Sequence, residues 1–156
     1  MDPIPLPVRT SSAWDAPTIQ QFLTSSVLPM RLGCVGEDGL PLVVSLWYLF
    51  EEGQVWCALH ESAAVLRYLR ATPKCGFEIA GDGSPYCGVR GQADVAIDRH
   101  RGASLLDELL QRYSIRPESR LARWLVSRAA DEYAVALRPR WITSWDYRAR
   151  MEPGPG

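Results

Sequence analysis

The chain has 156 residues and 47% apolar content, enough for one domain with a real core, and no stretch approaches the roughly 20 apolar residues of a membrane span. A formal charge of -1 and a pI near 6.1 argue against a nucleic-acid partner held by a general basic field and leave room only for a local anion pocket. The start, Met1-Asp2-Pro3-Ile4-Pro5, has no basic stretch followed by an apolar one, so a cytoplasmic location is expected.

In chain order, residues 1–13 are rich in Pro and Ser and read as an extended arm, residues 14–151 as the domain, and residues 152–156 as a disordered tail. Asp15 can cap a helix that carries Ile19, Phe22 and Leu23 on one face. Met30 to Gly36 is apolar and Glu37-Asp38-Gly39 turns the chain. Leu42 to Phe50, dense in β-branched and aromatic residues, reads as one strand buried on both faces. Glu51-Glu52-Gly53 turns again, into a strand from Gln54 to Leu59. Val65, Leu66 and Leu69 then recur at helical spacing with Ser62 as the expected cap, Arg67 and Arg70 interleaved, and Thr72-Pro73 as the stop. Cys75 to Ala80 returns to strand.

Gly81 to Pro85 is a loop, and Tyr86 to Ile97 reads as a long strand whose glycines suggest a bulge or bend. Arg90 inside that strand needs a partner if buried, and Glu78 on the neighbouring strand can supply it. Helices are expected over Ala103 to Tyr113 and Glu118 to Ala129, with Pro117 in the first turn of the second. Glu132 to Leu137 is the closing strand, and Arg140 to Tyr147 an irregular or strand-like tail. With one clear strand-helix-strand unit among many turns, the fold class is α+β: a mainly antiparallel, curved or barrel sheet with peripheral helices. Cys34, Cys57, Cys75 and Cys87 lack the spacing of a zinc site and read as buried free thiols.

Chemistry is offered at few places. Ser62, Arg67 and Arg70 form either an anion site at a helix N-terminus or an ordinary helix with solvated arginines. His60 and His100, the only histidines, can serve as acid, base or haem ligand, and His60 ends a strand beside the arginine-bearing helix. Trp47, Tyr48, Trp56, Tyr86, Trp141, Trp145 and Tyr147 offer surfaces on which a planar ring can stack. No dinucleotide, Walker, zincin or hydrolase motif is present, and no catalytic residue can be named.

Taken together, Arg31-Leu32-Gly33-Cys34-Val35, Asp38-Gly39-Leu40-Pro41, Val44-Ser45-Leu46-Trp47-Tyr48, Ala58-Leu59-His60, Leu69 to Lys74, Gly88 to Ala93 and Ser144-Trp145-Asp146-Tyr147 resemble the pyridoxamine 5'-phosphate oxidase-like FMN-binding split-barrel superfamily. The resemblance implies a six-stranded split barrel, a homodimer, and FMN (or the deazaflavin F420) in a cleft shared by two subunits. It implies a flavin-dependent oxidoreductase that passes hydride to or from a small molecule. By position, Val44, Ser45, Leu46 and Trp47 flank the ring, Leu59, His60, Ser62 and Arg67 lie toward ribityl and phosphate, and Trp145 comes from the partner. The chain departs from the pattern at Leu59, where many members have threonine, and at Val65, where they have a phosphate-binding lysine. The alternatives are a non-catalytic split barrel that holds haem or another planar ligand, with His60 as axial ligand, and a barrel that serves only in dimerisation.

Overall fold

The computed structural model describes residues 5–152 and 154. Seven strands form one curled antiparallel sheet: β1 (Met30–Val35), β2 (Pro41–Leu46), β3 (Leu49–Glu51), β4 (Gln54–His60), β5 (Lys74–Ala80), β6 (Cys87–Asp98) and β7 (Glu132–Asp146). Their order across the sheet is β2-β1-β5-β6-β7-β4-β3. Five helices lie around it: α1 (Ala16–Ser25), α2 (Ala64–Ala71), α3 (Gly102–Arg112), α4 (Arg120–Ser127) and α5 (Arg148–Met151). No helix among the described residues is long and apolar enough to cross a membrane.

The expected α+β split barrel is present, but with seven strands in place of six, because the run from Leu42 to Phe50 is two strands on opposite edges of the sheet. Trp47 and Tyr48 carry the chain between them. The Tyr48 N–H is bound by the Tyr113 hydroxyl at 3.2 Å, and the Tyr48 hydroxyl donates to the Leu23 carbonyl at 2.8 Å, so side chains satisfy groups that a continuous strand would have paired in a ladder. Nor is the run buried on both faces: Val43 in β2 is 65% exposed.

Inward side chains of the sheet, among them Met30, Leu32, Val55, Phe77, Ile79, Val135 and Leu137, pack with Ile19 and Leu23 of α1 and Leu66 and Leu69 of α2 in the main core. Asp15 caps α1 as expected, accepting the Thr18 N–H at 3.0 Å. The other end of α1 is tied down by Arg112, the last residue of α3, whose guanidinium donates to the Leu23 and Thr24 carbonyls at 3.0 and 2.8 Å and to the Ser26 carbonyl. Cys34, Cys57 and Cys75 are buried free thiols, and burial pushes Cys75 up to about 12.

The long β6–β7 ladder bears on three readings. First, of the two options for Arg140 to Tyr147 the strand-like one holds, since β7 runs unbroken past Pro139 to Asp146. The ladder slips between Gln92 and Ala93, opposite Pro139, where the missing proline N–H is no loss. Second, Gly88 and Gly91 do not make that bulge; they permit close approach, since a Cβ on Gly91 would lie 2.5 Å from the Trp141 carbonyl oxygen. Third, Arg90 stands opposite Glu78 in register but is exposed, and its guanidinium lies 4.9 Å from the Trp145 ring centre, so no buried charge calls for a partner.

Helix α4 begins at Arg120 behind an Ser119 cap that accepts the Ala122 N–H at 3.1 Å, so Pro117 precedes the helix instead of opening it. Of the arm, residues 5–13 lie along β7, with Val8 bridged to Ile142 and the Ser12 hydroxyl 2.9 Å from that of Ser144. Residues 1–4, and residues 153, 155 and 156 of the expected tail, lie outside the described residues.

Candidate functional site

The outer face of β4 and β7 is covered by α3, and this second layer creates a cavity of about 400 Å³ that extends beneath α4. Strand alternation aims Trp56, Ala58 and His60 to this side and Val55, Cys57 and Leu59 to the barrel interior. At the cavity, Ser45, Leu46 and Trp47 from the end of β2 meet Ala58, Leu59 and His60 from the end of β4. Leu106 and Leu109 of α3 and Leu121 and Leu125 of α4 form the facing wall. Trp47 is held in plane by stacking on Tyr113, with ring centres 5.5 Å apart and 22° between planes, while the Tyr113 hydroxyl donates to the Leu28 carbonyl at 2.9 Å. An aromatic wall is thus fixed before any ligand arrives.

Glu132, the first residue of β7, supplies the one acidic group of the cavity wall and stands directly opposite His60 in the β4–β7 ladder. It is only 6% exposed, and no hydrogen bond or ion pair among the described residues reaches its carboxyl group. Burial pushes this carboxyl above the usual carboxylate range, against the pull of His60 and Arg128. Its backbone is wedged under the N-terminus of α3, where a Cβ on Gly102 would overlap the Glu132 carbonyl group.

His60 is oriented by its neighbour. The Ser62 N–H donates to Nδ1 at 3.1 Å, and the Ser62 hydroxyl lies 2.8 Å from the same nitrogen. Neutral His60 therefore carries its proton on Nε2, turned away from Ser62. A haem iron on Nε2 would require the opposite tautomer, with the proton on Nδ1 and the Ser62 N–H contact broken.

The expectation that Ser62 caps α2 fails for the same reason. Its hydroxyl is taken up by the imidazole, and the residue at the cap position is Ala63, with no side-chain bond to the first turn. Arg67 pairs with Glu37 at 2.9 Å on the surface, and the guanidinium of Arg70 lies 4.7 Å from the Tyr133 ring centre. Val65 is part of the main core. Of the residues expected at the site, Ser45, Leu46, Trp47, Leu59 and His60 come together at the cavity. Val44 packs against the main core, Ser62 and Arg67 stand outside the cavity wall, and Trp145 lies in the far half of β7 beside Gly88.

Sequence reasoning missed Glu132 and the four leucines of α3 and α4. The leucines read correctly as apolar helix faces, but only the tertiary arrangement shows that they also wall a cavity. Glu132 had one signal, a carboxylate leading directly into the apolar run Tyr133-Ala134-Val135-Ala136-Leu137. A second cavity of about 520 Å³ lies between α3 and α4, walled by Leu110, Ile115, Ala122 and Val126 and edged by Asp107 and Arg123. None of the expected site residues reaches it.

No protein-family model and no curated protein matches the chain. Among solved structures, a conserved hypothetical protein from Mycobacterium tuberculosis is similar at 23% identity over 95% of this chain and 94% of that one, with a TM-score of 0.73. An F420 reductase is similar at 21% identity over 79% and 94%, with a TM-score of 0.64. A protein from Listeria innocua described as a pyridoxamine 5'-phosphate oxidase is similar at 12% identity over 82% and 95%, with a TM-score of 0.63. The fold is the pyridoxamine 5'-phosphate oxidase-like split barrel. Split barrels similar to this one also include a haem storage protein from Vibrio cholerae, at 15% identity over 83% and 92% and a TM-score of 0.59.

The split barrel's residues fit one half of a flavin. Strand β2 is an edge strand with its outer backbone groups unpaired in the sheet, and Leu46 and Trp47 give an apolar platform beside it, as a flat ring with a polar rim requires. The phosphate half does not fit. Arg67 is engaged by Glu37, α2 lacks a side-chain cap, and the acidic group at the His60 end is Glu132.

Proposed function

We propose that this split barrel binds the tricyclic ring of a flavin or deazaflavin and works as an oxidoreductase on a small molecule, with two copies of the chain enclosing the cofactor. The observation that carries the reading is the meeting of Ser45, Leu46, Trp47, Leu59 and His60 at one cavity, next to the free edge of β2. A volume of about 400 Å³ suits a ring system, and the Trp47–Tyr113 stack supplies a rigid wall for it. The redox chemistry belongs to the bound ring, and the protein supplies orientation and exclusion of water. Haem is the weaker reading because of the tautomer that Ser62 imposes on His60.

The test is titration of the purified chain with riboflavin, FMN and F420, followed by quenching of ligand fluorescence. Binding at micromolar concentrations is expected, and Trp47→Ala should weaken it by about tenfold, the loss of one aromatic contact. If no flavin or deazaflavin binds, the reading is wrong; a Soret band in haem-reconstituted protein that His60→Ala abolishes would replace it.

A further inference from the structure

The sheet sets two thiols of the main core face to face. In the β1–β5 ladder Met30 stands opposite Ile79, Leu32 opposite Phe77 and Gly33 opposite Gly76, and the next positions in that register are Cys34 and Cys75. Strand alternation puts both on the inward face with Met30, Leu32, Phe77 and Ile79, and both belong to the main core. Opposed residues of an antiparallel pair have Cα atoms about 4.5 or 5.5 Å apart, within the roughly 4.4 to 6.8 Å that a disulfide spans. The glycines beside them leave the strands room to draw together: beyond its chain neighbours, a Cβ on Gly33 would meet nothing nearer than the Gly76 carbonyl oxygen, at 3.9 Å. A reagent can also reach the pair. Cys34 and Cys75 share the wall of one open cavity of about 310 Å³ with Gly33, Gly76 and Lys74, whereas Cys57 is fully buried and takes no part in that wall.

We propose that Cys34 and Cys75 are a reversible modification site, at which a small organic disulfide oxidises the two thiols to a cross-strand bridge between β1 and β5. One protein thiol, as its thiolate, attacks a sulfur of the reagent, forms a mixed disulfide and releases the first reagent thiolate. The second protein thiolate attacks the protein sulfur of that mixed disulfide, so the bridge forms and a second reagent thiolate leaves. The two protons lost by the protein end on the two released thiols, and the reagent takes up the two electrons. Burial raises both thiols above their ordinary range, which slows the exchange at neutral pH and favours a neutral bridge over a buried thiolate. Because β2 joins the sheet only through β1, the bridge also ties the strand that carries Ser45 and Leu46 to β5. The site is independent of the flavin reading, since none of the residues expected to hold a flavin lines this cavity.

The test incubates the folded full chain with hydroxyethyl disulfide at about pH 8.5, stops exchange with acid and blocks the remaining thiols with a maleimide. Cleavage after basic residues and after glutamate then leaves each of the four cysteines on its own peptide, to be read by mass spectrometry. The expected product joins the Cys34 and Cys75 peptides, lighter by two hydrogen atoms than their sum and free of reagent, and dithiothreitol should reverse it. Cys34→Ser and Cys75→Ser should each abolish the bridge, and Cys87→Ser should leave it in place, with thermal melts confirming that the variants are folded. The wild-type peptide map decides the matter even where a variant melts early. A bridge between Cys57 and Cys75, reagent attached at Cys87 with Cys34 and Cys75 still free, or a Cys34–Cys75 bridge that forms only in urea-unfolded chain would each overturn the proposal.

Discussion

Glu132 has a stability consequence that can be measured without any ligand. Its carboxyl is raised above the usual range by burial, so the folded state holds the proton more tightly than the unfolded chain does. Below the unfolded value, about pH 4.3, both states are protonated and burial exacts no charge penalty. As pH rises through the folded value, the native state must either keep the proton or bury a charge, and stability is lost. Glu132→Gln is free of this dependence. The variant should melt with wild type near the acidic end of the range and above it at neutral pH, in thermal or urea melts at the two conditions. A variant less stable than wild type at neutral pH would mean that the charge is welcome where it stands. The same residue marks the limit of reading the sequence. His60 was legible as a strand end beside a helix, but its partner lies 72 positions away in β7, and only the β4–β7 register brings the two side by side.

At the scale of elements, the contact between α3 and β7 sets the position of the site. Gly102 opens α3 directly against the Glu132 backbone, and a Cβ there would also come within 2.8 Å of the Tyr133 N. Backbone cannot step aside as a flexible side chain can. Gly102→Ala should therefore cost on the order of 3 kcal/mol in a denaturant melt and weaken ligand binding together with stability, because α3 carries Leu106 and Leu109 into the cavity. Equal melts for variant and wild type would show that α3 can shift freely. Helices α1 and α3 were readable from apolar spacing, and Asp15 as a capping residue type just ahead of that spacing, because those signals are local. Where the sequence misled, a side-chain hydrogen bond had intervened, local at Ser62 and non-local at Tyr48. Ser62 has the right residue type for a cap, yet its hydroxyl goes to His60; the Leu42–Phe50 run has the right composition for one strand, yet Tyr48 is bound by Tyr113 and Leu23.

The whole molecule ends in two unequal sheet edges. Strand β3 is short, which limits the backbone it leaves unpaired, whereas β2 is a full strand at the other edge with apolar side chains in solvent. Leu40 and Val43 are 64% and 65% exposed, and Val35 on the adjoining strand is 43% exposed. If two copies of the chain enclose the cofactor as proposed, this exposed apolar edge is where they would meet. Val43 takes no part in the core of its own chain, so Val43→Glu separates association from folding. Wild type should sediment as a dimer, and the variant as a monomer whose melt no longer depends on protein concentration. Because β2 also provides Ser45, Leu46 and Trp47, the monomeric variant should lose flavin affinity even though no residue of the cavity itself has changed. A variant that is monomeric and still binds flavin as tightly as wild type would place the whole ligand within one chain, and a monomeric wild type would leave the exposed edge of β2 to some other partner.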